Sequence, residues 1–123
     1  MKADRLRAQV VKAAKKAEEI GLCQHKSGNF SALHREKGQI YITPSGVARQ
    51  DLREDMLAVV DLEGNIIEAK LPPSIEVDMH LKAYEVRPQA RGVAHAHSRY
   101  ATLFASMGKE IPPVSLEAVH YGG

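Results

Sequence analysis

A chain of 123 residues is long enough for one domain with a modest core. Its formal net charge of +2, with Lys and Arg spread along the chain and few aromatics among them, argues against a nucleic-acid partner. No apolar run approaches the roughly 20 residues of a membrane span, the first residues lead into a charged amphipathic segment and not a signal peptide, and the one cysteine, Cys23, cannot form an internal disulfide; a cytoplasmic protein with no membrane partner is expected.

Residues 3–20 carry Leu6, Val10, Ala13, Ala14, Ala17 and Ile20 at helical spacing, with Lys and Arg on the other face. This predicts a packing helix capped by Gly21. Ser27-Gly28-Asn29 follows, then a strand over 30–33, a turn over 35–38 and a returning strand over 39–43. Thr43-Pro44-Ser45-Gly46 is a second loop of small hydroxyls and glycine. Each loop alone is ordinary turn chemistry. If the hairpin brings both to one end, their hydroxyl, amide and backbone N–H groups suit an anion. Neither is a P-loop, since no Gly-Lys-Ser/Thr follows.

Residues 47–55 are polar and read as a loop or short helical turn. A buried strand is expected over 56–61, a turn at Glu63-Gly64-Asn65 and a pairing strand over 66–68. Pro72-Pro73-Ser74 opens a helix, with Ser74 as N-cap, Ile75-Glu76-Val77 as the first turn, and Val77, Leu81 and Tyr84 on one face. Glu76 there complements the helix dipole, and His80 shares its face. Residues 92–97 read as a strand. Ser98 caps a last helix through Tyr100, Leu103, Phe104 and Met107, stopped by Gly108. Residues 111–114 are extended, and 119–123 end the chain without a closing element. Hairpins mixed with helices predict an α/β fold with a mainly antiparallel sheet covered by helices.

Alternate strand side chains share a face, so His95 and His97 place two imidazoles within reach of one ion. Neutral imidazoles favour Zn, Ni, Co or Fe over Mg, and a catalytic zinc needs at least three protein ligands plus an open position. Glu76, His80, His120, His25 and His34, or a residue of another chain, are candidates to complete the set. A divalent metal beside a carboxylate suits one reaction class. The metal polarises a substrate oxygen and stabilises an enediolate, while the carboxylate moves the proton. A phosphate held in the two loops would orient such a substrate.

Four motifs share one order: Ser27-Gly28-Asn29; Ile42-Thr43-Pro44-Ser45-Gly46; Pro73-Ser74-Ile75-Glu76 with His80; and His95-Ala96-His97 with Tyr100-Ala101-Thr102. Over about residues 5–115 their order and spacing resemble the class II aldolase/adducin family, which contains fuculose-1-phosphate aldolase, rhamnulose-1-phosphate aldolase and ribulose-5-phosphate 4-epimerase. The resemblance implies a three-layer α/β/α fold around a mainly antiparallel sheet, usually in a homotetramer. It implies Zn2+ or another divalent transition metal on His95 and His97, with Glu76 as catalytic acid/base. Gly28, Asn29, Ser45, Gly46 and Ser74 fall where the family holds the substrate phosphate.

The implied reaction is aldol cleavage of a sugar phosphate, such as a ketose 1-phosphate, through a metal-stabilised enediolate, giving dihydroxyacetone phosphate and an aldehyde. A ribulose-5-phosphate 4-epimerase-like activity is the alternative within the family. A non-catalytic, adducin-head-like member of the family or a truncated remnant domain is the further alternative. Two departures stand out. Ile75 occupies a position where the family commonly has a second small hydroxyl residue. Residues 1–123 are expected to form a single domain of this type without the family's C-terminal part, which carries the third metal histidine.

Overall fold

A computed structural model describes residues 2–116 and 120 of the chain. The first helix, α1 (Ala3–Glu19), buries Leu6, Val10, Ala14 and Ala17 along one stripe. It ends as the sequence predicts. Gly21 takes φ +83°, its N–H bonds the Glu18 carbonyl at 3.0 Å, and the Leu22 N–H bonds the Ala17 carbonyl at 2.8 Å. Those two bonds satisfy carbonyls that a helix end otherwise leaves open.

Five strands follow: β1 (Asn29–His34), β2 (Gln39–Ile42), β3 (Ala58–Asp61), β4 (Ile66–Glu68) and β5 (Gly92–His95). They form one sheet in the order β4-β3-β2-β1-β5, with every pairing antiparallel. The two-residue period of the strands sorts their side chains between two cores. Phe30, Ala32, Tyr41 and Val59 pack with the buried stripe of α1. Leu33, Ile40 and Val60 pack on the other side, under Val77, Leu81 and Tyr84 of α2 (Val77–Val86). The sheet is thus the middle of three layers, and the predicted α/β/α architecture holds. The last helix, α3 (Arg99–Ser106), has no buried residue. No described helix is long and apolar enough to cross a membrane.

Several boundaries differ from the sequence expectation, each for a local reason. β1 starts at Asn29 rather than Phe30, because Asn29 has a partner in His95 across the ladder. β3 starts at Ala58, because Glu54–Met56 forms a single 3-10 turn. α2 starts at Val77 and not directly after Ser74. The Ser74 hydroxyl accepts the Glu76 N–H at 3.2 Å and the Ser74 carbonyl accepts the Val77 N–H at 3.1 Å, so Ser74 closes a turn ahead of the helix. Glu76 then occupies the N-cap position, without a side-chain bond to the helix end. β5 stops at His95, opposite the first residue of β1. Gly28 turns the chain away there at φ +77°, and the His97 N–H goes to the Leu22 carbonyl at 2.8 Å instead of to a strand. The expectation for 119–123 lies, His120 apart, outside the described residues.

Candidate active site

The two small-residue loops are built into the end of the sheet. Beyond β2, the Thr43 N–H bonds the Phe30 carbonyl at 3.0 Å, and the Thr43 hydroxyl accepts the Phe30 N–H at 3.1 Å. Pro44 then bridges to Pro73, the Ser45 N–H bonds the Pro72 carbonyl at 2.9 Å, and the Ser74 N–H bonds the Thr43 carbonyl at 3.0 Å. Ser45, Gly46 and Ser74 therefore lie on neighbouring segments, Ser45 and Gly46 exposed and Ser74 buried. Gly46 has φ +77° and open space where a side chain would stand.

Gly28 is a glycine for a different reason. A Cβ there would stand 2.9 Å from the His95 carbonyl oxygen and 3.2 Å from the Cys23 Cβ, at a φ of +77°. The loop around Gly28 and the histidine strand consequently touch through backbone.

Arg49 joins the two loops from behind. Its Nη2 donates to the Val47 carbonyl at 2.8 Å and to the Lys26 carbonyl at 3.4 Å, while Nε and Nη1 have no partner among the described residues. The side chain is 1% exposed, and burial lowers its pKa. The sequence reading passed over Arg49 as part of a polar loop. Nothing in the sequence separates it from the exposed Arg53; only its burial does.

Glu76 sits where the start of β1, the start of α2 and the end of β5 meet. Its Oε2 accepts hydrogen bonds from Asn29 Nδ2 and, at 2.9 Å, from His95 Nδ1. The Asn29 amide beside it holds the carboxyl below its ordinary range, and His95 adds to the effect against the opposing influence of burial. The carboxylate is thus turned to Asn29 and His95, and not to the helix end that the dipole explanation required. Asn29 Oδ1 in turn faces His80 Nε2. His80 Nδ1 lies 2.7 Å from Ser31 Oγ, which lies 2.7 Å from the Tyr84 hydroxyl. Burial pushes the fully buried His80 down to about 4. With both ring nitrogens hydrogen-bonded inside the fold, His80 is not free to complete a metal set.

His95 and His97 do face each other's neighbourhood, with ring centroids 4.8 Å apart and planes tilted by 55°. With Nδ1 on Glu76, His95 keeps Nε2 as its lone pair for an ion, and the carboxylate orients the ring. The donor chemistry fits two ligands of a transition-metal site. Among the described residues no group of three His, Cys, Asp or Glu is placed to hold a metal. His34, another sequence candidate, is at the opposite end of β1 from Asn29. A groove of about 620 Å3 between α1 and the β1–β5 edge, lined by Leu6, Val10, Phe30, His34 and Val93 among others, is not lined by Asn29, Glu76, His80, His95 or His97.

The family model described as the class II aldolase and adducin N-terminal domain matches residues 8–123. The chain is 37% identical over 117 residues to an L-ribulose-5-phosphate 4-epimerase of Salmonella paratyphi B, covering 95% of this chain and 51% of that protein. It is 38% identical over 109 residues to a 5-deoxy-D-ribulose 1-phosphate aldolase of Bacillus thuringiensis serovar kurstaki, covering 89% and 51% respectively. Among solved structures, an L-fuculose 1-phosphate aldolase superposes with a TM-score of 0.83 at 35% identity, over 89% of this chain and 51% of that one. The chain spans about half the length of the curated relatives it matches.

Proposed function

Since the chain belongs to the class II aldolase and adducin family, we propose that its protein is a divalent-metal-dependent aldolase that cleaves a sugar phosphate, with Glu76 as the acid/base. The observation that carries this reading is the double anchoring of the Glu76 carboxylate by Asn29 and His95, two residues before His97. A helix-start glutamate needs neither partner. The presence of Glu76, His95 and His97 together also speaks against a non-catalytic, adducin-head-like domain.

His95, through Nε2, and His97 are the residues that would hold the metal, zinc being the first choice for imidazole donors. The remaining ligand comes from outside the described residues. Such an ion would polarise the substrate carbonyl and stabilise negative charge as the carbon–carbon bond breaks. Glu76 handles the proton. In a ketose 1-phosphate the C3–C4 bond breaks, C4 leaves as the aldehyde and its hydroxyl proton passes to Glu76. The electron pair stays on the dihydroxyacetone phosphate half, which takes that proton at C3. Gly28, Ser45, Gly46 and Ser74 receive the phosphate, together with the second amide hydrogen of Asn29. Arg49 holds the two loops at their spacing.

A ribulose-5-phosphate 4-epimerase-like activity is the second reading, favoured by the 37% identity to the Salmonella epimerase. The working protein is proposed to be a cytoplasmic homotetramer. The uncovered apolar side chains of α3, Tyr100 and Leu103 among them, support burial against further protein. Turnover of a panel of ketose 1-phosphates and pentulose 5-phosphates by metal-loaded protein tests the activity and separates aldolase from epimerase. No turnover of any member would sink both.

A further inference from the structure

Glu76 is held by groups that themselves have only one way to bond. A carboxylate oxygen accepts, so the Asn29 amide must present its NH2 to Glu76 and its oxygen to His80. An amide oxygen also only accepts, so His80 carries its proton on Nε2 and donates to Asn29. His80 Nδ1 is then a bare lone pair, and the Ser31 hydroxyl 2.7 Å away donates to it. That uses the single hydrogen of Ser31, so the Tyr84 hydroxyl donates to Ser31 Oγ at 2.7 Å. From Tyr84 to Glu76 the chain of bonds runs in one direction only. Ser31, His80 and Tyr84 are all buried, so water does not supply substitutes. At the far end Glu76 Oε2 has two donors, whereas Oε1 has none among the described residues, and the Glu76 side chain is 40% exposed.

We propose that His80, backed by Ser31 and Tyr84, is a positioning residue that locks the Asn29 amide with its donor toward Glu76, so that Oε2 is pinned and Oε1 is left to move the substrate proton. The inference rests on the reading of Glu76 as acid/base. Without His80 the Asn29 amide is free to flip, which sets an amide oxygen against the carboxylate and releases Glu76 from one of its two anchors.

Two variants separate positioning from packing. His80→Gln places an amide nitrogen near the position of Nε2 and can donate to Asn29. His80→Asn reaches only as far as Nδ1 and keeps the Ser31 contact alone. In the full-length, metal-loaded protein, with L-fuculose 1-phosphate or 5-deoxy-D-ribulose 1-phosphate as substrate, His80→Asn lowers kcat by roughly 10-fold or more with KM nearly unchanged. His80→Gln recovers most of that loss. Equal losses in kcat would overturn the proposal. A second readout needs neither metal nor turnover. Two-bond 15N–1H correlations of the His80 ring in metal-free wild-type protein should show the Nε2–H tautomer at neutral pH. An Nδ1–H tautomer would reverse the bonds and overturn the proposal. Glu76→Gln is measured alongside. Full turnover in that variant would dismiss the acid/base reading, while the tautomer still decides whether the Asn29 amide is locked.

Discussion

The carboxylate of Glu76 and the imidazole of His80 are four residues apart in sequence and differ in what surrounds them. Glu76 has one oxygen without a partner among the described residues and a pKa below the ordinary carboxylate range, so at neutral pH it is a carboxylate able to take a proton. Glu76→Gln should leave the metal content, read by elemental analysis, unchanged and lower turnover by about 100-fold or more. An unchanged rate would return Glu76 to a helix-start role. His80 is neutral in the fold, with its pKa pushed by burial to about 4 from an ordinary 6.5. The unfolded chain therefore binds more protons between those values, and the contribution of His80 to stability falls as pH drops from 6.5 toward 4. At about 1.4 kcal/mol per pKa unit the full loss is ~3 kcal/mol. Urea unfolding of the wild type from neutral pH down to about pH 4 checks it, and a flat profile refutes it. Glu76, His95 and His97 were grouped in the sequence by the pattern of motifs, and the structure brings them together. The service of His80 to Asn29 was not, because its partners Ser31 and Asn29 lie 49 and 51 residues away on β1.

Between neighbouring elements, the two proposed phosphate loops are held by bonds that do not involve the ligand. The pairing of 43–45 with 72–74 fixes one side, and the buried Arg49 guanidinium fixes the other. Arg49→Met preserves most of the bulk and removes both bonds to the loops. It should weaken inorganic phosphate binding, read by calorimetry, by about 10-fold, or 1.4 kcal/mol, while Arg53→Met, on an exposed position, leaves it unchanged. Equal effects of the two changes would mean that general charge and not loop spacing matters. Strand identity was readable here, since the continuous apolar runs 40–42 and 58–60 form strands whose side chains enter both cores. The start of α2 was not. A serine hydroxyl caps a helix or closes a turn equally well, and the choice at Ser74 follows from its pairing with Thr43, 31 residues earlier.

For the molecule as a whole, the layers followed from the mixture of elements, but the strand order did not. β5 lies beside β1, its partner at the far end of the sequence, and not beside β4. No local signal encodes such a neighbour; the apolar face of Val93 and the joint with Asn29 decide it. The same reasoning applies to assembly. Light scattering on the complete protein should report a tetramer that buries α3, and a monomer would refute that part of the proposal. The joint at Gly28 carries a wider consequence. With no room for even a methyl group between Gly28 and the His95 carbonyl, and with the Leu22 carbonyl holding the His97 N–H, the histidine pair and the first proposed phosphate loop are joined through backbone. If one ligand displaces this joint, the other site feels it, and any coupling free energy between the two ligands is reciprocal. Phosphate should therefore change the affinity for zinc by the same factor by which zinc changes the affinity for phosphate. Titrating each in the presence and absence of the other closes the cycle, and Gly28→Ala, which forces the joint apart, should shrink the factor toward one.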